Sequence, residues 1–233
     1  PVCPTDVTAM SGYSDCAGVC LPTGASCTAG IGACARTGTV VCGTTGAQSV
    51  GAGFRHTCAQ FENGSVRCWG YNGYGQLGDG TATDRYRPTQ MPSFLNAVQL
   101  SAGESHTCAL MSDTTIKCWG RGSEGQLGNN AAGTVYTPVT VLVNSSTALS
   151  GALEVQSGIY QNCARVTGGG VRCWGWNAYG QIGDNTVSNR VVAVVANYVP
   201  TGTTTLTPVT ASALGVGYYH TCAVLTDGST RCW

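Results

Sequence analysis

Cysteine is the residue with reactive chemistry that recurs most regularly in this chain. Four cysteine pairs are each separated by ten positions, and a tryptophan follows the second member of every pair. The pairs are Cys58 and Cys68, Cys108 and Cys118, Cys163 and Cys173, and Cys222 and Cys232, followed by Trp69, Trp119, Trp174 and Trp233. Structural zinc ligands occur in tighter Cys-x2-Cys groups, so isolated pairs at this spacing favour disulfide bonds over a zinc site.

The elements that must position these cysteines are predicted to be β-hairpins. The polar segment 62–64 lies midway between Cys58 and Cys68 and is typical of a hairpin turn. Counting outward from this loop, Phe61 faces Ser65 and Cys58 faces Cys68. Opposed Cα atoms on antiparallel strands lie roughly 4.5–5.5 Å apart, which a disulfide can span. The other three copies have the same geometry, so we predict four disulfides, each within one hairpin.

Histidine is a second residue type that keeps a fixed place in the repeat. His56, His106 and His220 each stand two positions before the first cysteine of a pair. A catalytic histidine needs to appear once, so three equivalent ones favour a structural hydrogen bond within or between repeats. A ring of metal ligands is the alternative, and it is disfavoured because Gln161 replaces histidine in the third copy.

Other catalytic or ligand-binding patterns are missing from the sequence. It contains no Gly-x-Ser-x-Gly nucleophile elbow and no phosphate-binding loop. The acidic residues Asp79, Asp84 and Asp184 do not recur as a pair, because the second copy has Asn129 and Asn130. We therefore predict a protein that is not an enzyme, with no catalytic residue, no metal and no cofactor.

The segments between the pairs favour an all-β repeat protein with radial or solenoid packing. They are rich in valine, threonine and proline, as in 137–143 and 190–195, and none shows a sustained helical period. A glycine stands five residues before each first cysteine, which indicates positive φ or close backbone approach. These glycines are Gly53, Gly103, Gly158 and Gly217.

The repeated motif G-x-x-H-T-C-A…C-W-G-x-N-x-x-G-Q-L-G-D-G-T resembles the regulator-of-chromosome-condensation repeat. Segments 103–110 and 75–81 carry the match most fully, and the resemblance covers about residues 50–233. It implies a β-propeller, and the paired cysteines resemble the secreted bacterial branch of the family. Propellers of this family usually close with seven four-stranded blades.

Measured against that family, the chain holds three full repeat periods plus one hairpin, and we expect it to be part of a larger or completed propeller. The periods are 53–102, 103–157, 158–216 and a partial one at 217–233. An open stack exposes sheet edges and blade faces. We expect these surfaces to meet the missing part, another copy of the chain or a different chain.

The amino-acid composition indicates in which compartment the protein is located and which partners are disfavoured. Charged residues make up 9% of the 233 residues and the net charge is zero, which argues against nucleic acid as a partner. The fourteen cysteines argue for an oxidising compartment, so an extracellular or cell-surface location is expected. No apolar run approaches the roughly 20 residues of a membrane span.

The first 49 residues differ from the repeats and are predicted to form a small module held by disulfides. Six cysteines have 15 pairing schemes and the sequence does not choose among them. They are Cys3, Cys16, Cys20, Cys27, Cys34 and Cys42. The module is interpreted as a cap on the open end of the repeat stack or as an attachment piece.

Three sets of residues are candidate contact or modification sites. Aromatic residues flanking the glycine-rich segments suit sugar or protein recognition, or packing of blade against blade. They are Tyr71, Tyr74, Trp176, Tyr179, Tyr218 and Tyr219. The basic residues before the second cysteines form either an anion or glycan contact or a solvated stripe, and are Arg67, Lys117, Arg172 and Arg231. Asn63 and Asn144 fit the N-glycosylation pattern.

Three functions fit these patterns. The first is an extracellular structural or interaction scaffold that displays loops to a protein partner or assembles with copies of itself. The second is a carbohydrate-binding module whose loop aromatics stack on sugar rings. The third follows from the resemblance, because a secreted bacterial relative inhibits a β-lactamase through its propeller face. Nuclear relatives are nucleotide exchange factors, a role disfavoured by an oxidising compartment.

Overall fold

The computed structural model describes residues 46–92, 94–200 and 202–233. The chain divides into residues 1–46 and a second unit, Ala47–Trp233. The six cysteines of the predicted N-terminal module, and the choice between a cap and an attachment piece, lie outside the described residues. Within the described part of the chain, no helix is long and apolar enough to cross a membrane.

The second unit consists of successive antiparallel sheets, and each is built from strands that are consecutive in the chain. We call these sheets blades. Blade 1 contains β1 (Ala47–Ala52), β2 (His56–Phe61), β3 (Val66–Gly70) and β4 (Arg85–Gln90). Blade 2 contains β5 (Ala97–Ala102), β6 (His106–Met111), β7 (Ile116–Gly120) and β8 (Val135–Thr140). Blade 3 contains β9 (Ala152–Ser157), β10 (Gln161–Val166), β11 (Val171–Gly175) and β12 (Arg190–Val195).

The described part of blade 4 has three strands. These are β15 (Ala211–Val216), β16 (Thr221–Leu225) and β17 (Thr230–Cys232), and a short hairpin of β13 (Asn197–Tyr198) and β14 (Thr207–Pro208) precedes them. The prediction of an all-β, propeller-type repeat fold is confirmed. The blades begin earlier than the predicted periods, because each period was counted from the glycine that follows the first strand of a blade.

The predicted hairpins are confirmed residue by residue. In blade 1, Cys58 is paired with Cys68 and Gln60 with Val66, and the amide of Phe61 donates to the carbonyl of Ser65 across the loop. Gly64 ends this loop with φ 74°, a conformation that L-residues other than glycine adopt at a cost. Disulfides join Cys58 to Cys68, Cys108 to Cys118, Cys163 to Cys173, and Cys222 to Cys232.

Neighbouring blades are joined by a repeated arrangement that we call the latch. The backbone carbonyl of Gln76 in blade 1 accepts hydrogen bonds of 2.9 Å from the Thr107 hydroxyl and from the Trp119 indole of blade 2. The Gln126 carbonyl accepts likewise from Asn162 and Trp174 of blade 3. Because one carbonyl satisfies two buried donors, the loop that carries it is fixed against the next blade.

Tryptophan fits into the latch because glycine leaves room for it. A Cβ built on Gly78 would lie 2.7 Å from the indole nitrogen of Trp119, and one on Gly128 would lie 2.9 Å from Trp174 Cδ1. Both indoles are fully buried. The recurrence of tryptophan after each second cysteine and of Gly-Gln-Leu/Ile-Gly in the loops therefore has one cause, the packing of blade against blade.

Two of the three histidines, His56 and His106, act between blades, as predicted for a structural role, whereas His220 is exposed. The Thr107 hydroxyl donates its proton to Gln76, so it accepts from Nε2–H of His56 at 2.8 Å. His106 Nε2–H donates in the same way to the Asn162 side-chain oxygen at 2.9 Å. At the third position, Gln161 donates to the Gly217 carbonyl instead. The glutamine amide thus replaces the histidine imidazole as the hydrogen-bond donor to the next blade.

Removing one hairpin disulfide is expected to weaken the protein without changing its fold. Replacing both Cys108 and Cys118 by alanine removes a covalent link between residues ten positions apart, so the unfolded chain gains conformational entropy. We expect the free energy of unfolding to fall by about 2–3 kcal/mol. Urea unfolding with and without the double substitution measures this change. An unchanged midpoint would show that blade packing alone fixes the hairpin.

Candidate interaction surface

Four of the six candidate aromatic residues lie in loops that an asparagine organises, namely Tyr71, Tyr74, Trp176 and Tyr179. In blade 3, the fully buried Asn177 accepts from the Ile182 amide and donates to the backbone carbonyls of Thr186 and Ser188. Asp184 accepts from the same amide group and forms an ion pair with Arg190. The loop that carries Tyr179 is thereby closed around a single side chain.

Blade 1 repeats this arrangement, and it explains the aspartates of the loops. Asn72 takes the place of Asn177, and Asp79 pairs with Arg85 at 2.6 Å. Hydrogen bonds to Thr81 and Arg85, opposed by burial, lower the pKa of Asp79. The carboxylates therefore serve the loop itself. Among the described residues, no group of three or more His, Cys, Asp or Glu side chains could hold a metal ion.

Asn177→Ala is expected to loosen the loop that carries Tyr179. The substitution leaves the Ile182 amide and two backbone carbonyls without their buried partner, so we expect a loss of about 2–3 kcal/mol in unfolding free energy. Hydrogen exchange should accelerate in residues 177–189 before it does in β10 and β11. Val187→Ala is the control, because Val187 is exposed in the same loop and its side chain makes no hydrogen bond. Uniform exchange across blade 3 would contradict this role of Asn177.

The structure brings the six aromatic candidates together in two groups. Tyr71 and Tyr74 of blade 1 meet at 6.4 Å between ring centroids. Trp176 contacts Tyr179 at 5.3 Å and Tyr219 at 5.2 Å, and Tyr218 packs against Tyr219 at 4.4 Å.

Two residues that the sequence analysis did not single out connect these groups. Arg121 of blade 2 lies 5.6 Å from the Tyr74 ring and 4.9 Å from the ring of Tyr160. Tyr160 contacts Trp176 at 6.1 Å. The result is a continuous surface across all four blades, which we call the aromatic strip. It comprises Tyr71, Tyr74, Arg121, Tyr160, Trp176, Tyr179, Tyr218 and Tyr219.

Much of the aromatic strip faces solvent. Tyr179 is 70% exposed, Tyr218 60% and Tyr219 42%. The neighbouring ring planes cross at 62–90° in the Trp176 group. The carbohydrate hypothesis requires coplanar rings for stacking along a sugar chain, and these rings form a ridged surface instead.

The four basic candidates occupy one equivalent position in the third strand of each blade. Arg67 is paired with Ala59 and Arg172 with Ala164, and both are half-buried. Lys117 is also half-buried and Arg231 is exposed. Arg67 and Arg231 lie over the rings of Phe61 and Tyr198, at 5.1 and 5.7 Å. Two of the four guanidinium groups thus lie over aromatic rings, and a role of the four residues in anion or glycan contact stays a prediction.

Both glycosylation candidates lie in exposed turns. The side-chain oxygen of Asn63 accepts from the Ser65 amide and hydroxyl. That of Asn144 accepts from the amides of Ser146 and Thr147. Each asparagine is exposed, and modification stays a prediction for both.

Sheet topology, the latch and the loop arrangement together define a β-propeller-type repeat protein. A family model described as the regulator of chromosome condensation (RCC1) repeat matches residues 63–110. A second model of the same repeat matches residues 47–76 and 97–126. Residues 47–126 of this chain are therefore matched by models of the RCC1 repeat.

Solved structures with RCC1-type folds are similar to this chain. Yeast RCC1 (Prp20), solved with Kap60, superposes with a TM-score of 0.64 at 20% identity, over 79% of this chain and 42% of that one. Human WBSCR16 superposes with a TM-score of 0.66 at 22% identity, over 79% of this chain and 46% of WBSCR16. Prp20p from Saccharomyces cerevisiae superposes with a TM-score of 0.60 at 20% identity, over 79% of this chain and 44% of Prp20p. This chain thus spans less than half the length of these proteins, and the likeness shows the fold.

Proposed function

We propose that this chain is an extracellular interaction scaffold that presents the aromatic strip to a protein partner. The observation that carries the proposal is the strip itself, an exposed run of tyrosine, tryptophan and arginine across four blades. These residue types dominate the energetically important positions of protein interfaces. The function proposed is binding, with no catalytic step.

The rigidity of the loops that carry strip residues supports this role. Four strip residues, Tyr71, Tyr74, Trp176 and Tyr179, stand on loops held by Asn72 and Asn177. Each of these loops carries a backbone carbonyl, that of Gln76 or Gln181, that accepts a hydrogen bond from the next blade. A surface already held in one conformation loses less conformational entropy on binding. The repeated disulfides add to this rigidity, and they also support a location outside the reducing cytosol.

The similar structures are consistent with a protein partner. The solved complex of yeast RCC1 with Kap60 concerns protein binding, and the work on Prp20p concerns its binding to Gsp1p and histones. For this chain we propose a different, extracellular protein, and inhibition of a secreted enzyme is one form such binding could take. Self-assembly through open blade faces would be a second use of the same scaffold.

Photo-crosslinking tests the proposal. The photoreactive p-benzoyl-phenylalanine is placed at Tyr179 in the strip or, as a control, at Tyr86, which is 96% exposed on β4 outside the strip. Surface and secreted proteins of the source cells are then irradiated with each variant. We expect one protein to be crosslinked from position 179 and not from position 86. Equal crosslinking from both positions, or crosslinking to glycans alone, would overturn the proposal.

The compartment has its own test. Native protein is alkylated before and after reduction and measured by mass spectrometry. We expect Cys58, Cys108, Cys163 and Cys222 and their partners to be alkylated only after reduction. Free thiols at these positions in freshly isolated protein would contradict an extracellular location.

A further inference from the structure

A concave pocket of about 340 Å³ opens where the first strands of the four blades end. Its floor includes Gly53, Gly103, Gly158 and Gly217. These glycines are required by packing, since a Cβ on Gly103 would meet the Gly158 carbonyl at 2.5 Å. The backbone of neighbouring blades therefore meets at the base of the pocket.

The residue that follows each of these glycines also lines the pocket, and its type changes from blade to blade. The four residues are Phe54, Glu104, Ile159 and Tyr218. The glycines before this position and the cysteines of the hairpins keep one residue type through the repeats. The residue after each glycine instead differs in every blade, so these four side chains can give the pocket a shape and charge that suit one ligand.

Glu104 gives this pocket its charge. Its Oε2 atom is buried and has no hydrogen-bond partner among the described residues. None of the ion pairs in the described part of the chain includes Glu104, and no lysine or arginine lines the pocket. Glu104 is the one charged residue among those that line the pocket, and a single carboxylate in a largely apolar lining favours a cation beside it.

The nearest arginine on the strip is engaged elsewhere. Arg121 lies over the Tyr160 ring at 4.9 Å and pairs with Glu124 at 4.0 Å. Glu104 instead lies close to the Tyr160 hydroxyl. The neighbouring Glu104 carboxylate, together with burial and against the charge of Arg121, raises the pKa of Tyr160.

We propose that this pocket receives a lysine or arginine side chain of the protein partner. The cationic head lies at Glu104, and the aliphatic stem contacts Phe54, Ile159 and Tyr218. Long cationic side chains combine an apolar stem with a charged end, which matches an apolar rim around one carboxylate. The inference rests on the proposed function, because Tyr218 belongs to both the pocket and the aromatic strip.

Immobilised peptides of glycine and serine with one central residue test the pocket directly. The central residue is lysine, arginine, norleucine or Nε-acetyl-lysine, and the intact protein flows over each surface. We expect the two cationic peptides to bind at least about tenfold more tightly than the two neutral ones, a ratio typical of a charged hydrogen bond. Glu104→Gln should abolish this preference, and Phe54→Ala should weaken all four peptides. Tyr74→Ala, on the strip but outside the pocket, should leave the preference intact.

Each outcome decides between the two proposals. A cationic preference lost in Glu104→Gln supports the pocket even if no protein crosslinks at Tyr179. Equal binding of lysine and norleucine, no binding of any peptide, or a preference that survives in Glu104→Gln would overturn the pocket and leave the strip proposal standing. Thermal unfolding of each variant confirms that the fold is kept.

Discussion

Trp174→Ala is expected to lower the free energy of unfolding by about 3–5 kcal/mol. The side chain is fully buried, packs on Gly128 and donates to the Gln126 carbonyl, so its removal opens a cavity between blades 2 and 3. Asn162 also loses the neighbour with which it shares that carbonyl. Urea unfolding followed by near-ultraviolet circular dichroism measures the loss.

Trp69→Ala is the matched control for this prediction. Trp69 holds the same place in blade 1 but is only half-buried. We therefore expect a smaller loss, about 1–2 kcal/mol. Equal losses in the two variants would contradict the latch, because they would show that the tryptophan stabilises its own blade and not the contact between blades.

Acid is expected to unfold the protein through two buried histidines. Burial, with a smaller contribution from the charge of His106, lowers the pKa of His56 from 6.5 to about 4. Burial also lowers the pKa of His106 to about 4, against the hydrogen bond with Asn162 and the charge of Glu104. The cause is visible in the latch, because Nε2 already donates and Nδ1 has no partner for a second proton.

The sign of the pH effect follows from these shifts. Between pH 6.5 and about 4 the unfolded histidines bind protons that the folded ones do not. The stability they contribute is therefore complete above 6.5 and is lost as pH falls toward 4, by up to about 3 kcal/mol for each histidine. The depressed pKa values of Asp79 and Asp184 act below 3.8, outside this window.

Replacing both histidines by glutamine tests the assignment. Glutamine already occupies the equivalent position in blade 3, where Gln161 bonds to the Gly217 carbonyl. The double variant His56→Gln/His106→Gln should lose most of the slope of unfolding free energy between pH 4 and 6.5. The same slope in wild type and double variant would assign the acid sensitivity to other groups.

Local pattern predicted much of the fold. A separation of ten positions between the cysteines, with a polar segment at its centre, predicts the strand pairing residue by residue, because an odd symmetric loop leaves one register for the hairpin. Three equivalent histidines predicted a structural hydrogen bond, and His56 and His106 make it. The blade boundaries were harder to predict from the sequence. The first period was counted from Gly53, but the first strand of the blade, β1, begins at Ala47 and ends before that glycine.

The candidate surface was only partly predictable from sequence. Six of its aromatic residues stand beside recurring glycines, which marks them as loop residues. Tyr160 stands three residues before Cys163, as Tyr219 does before Cys222, so the repeat register could have marked it. Arg121 stands where the other blades have Tyr71 and Trp176, and its contacts with Tyr74 and Tyr160 arise only because three blades approach one another. The latch carbonyl of Gln76 is a backbone atom and has no signature of its own, although the recurrence of Gly-Gln-Leu-Gly pointed to its loop. Contacts between blades depend on tertiary packing, which the order of residues within one repeat does not specify.

The most direct test of the interaction scaffold is the dissociation constant of the crosslinked partner for three forms of the protein. These are the wild type, Trp176→Ala in the aromatic strip and Tyr86→Ala on the exposed outer strand of blade 1. We predict that Trp176→Ala weakens binding by at least about 30-fold, as for a central interface residue worth 2 kcal/mol or more, and that Tyr86→Ala leaves it unchanged. Unchanged binding in Trp176→Ala, or equal weakening in both variants, would contradict the account.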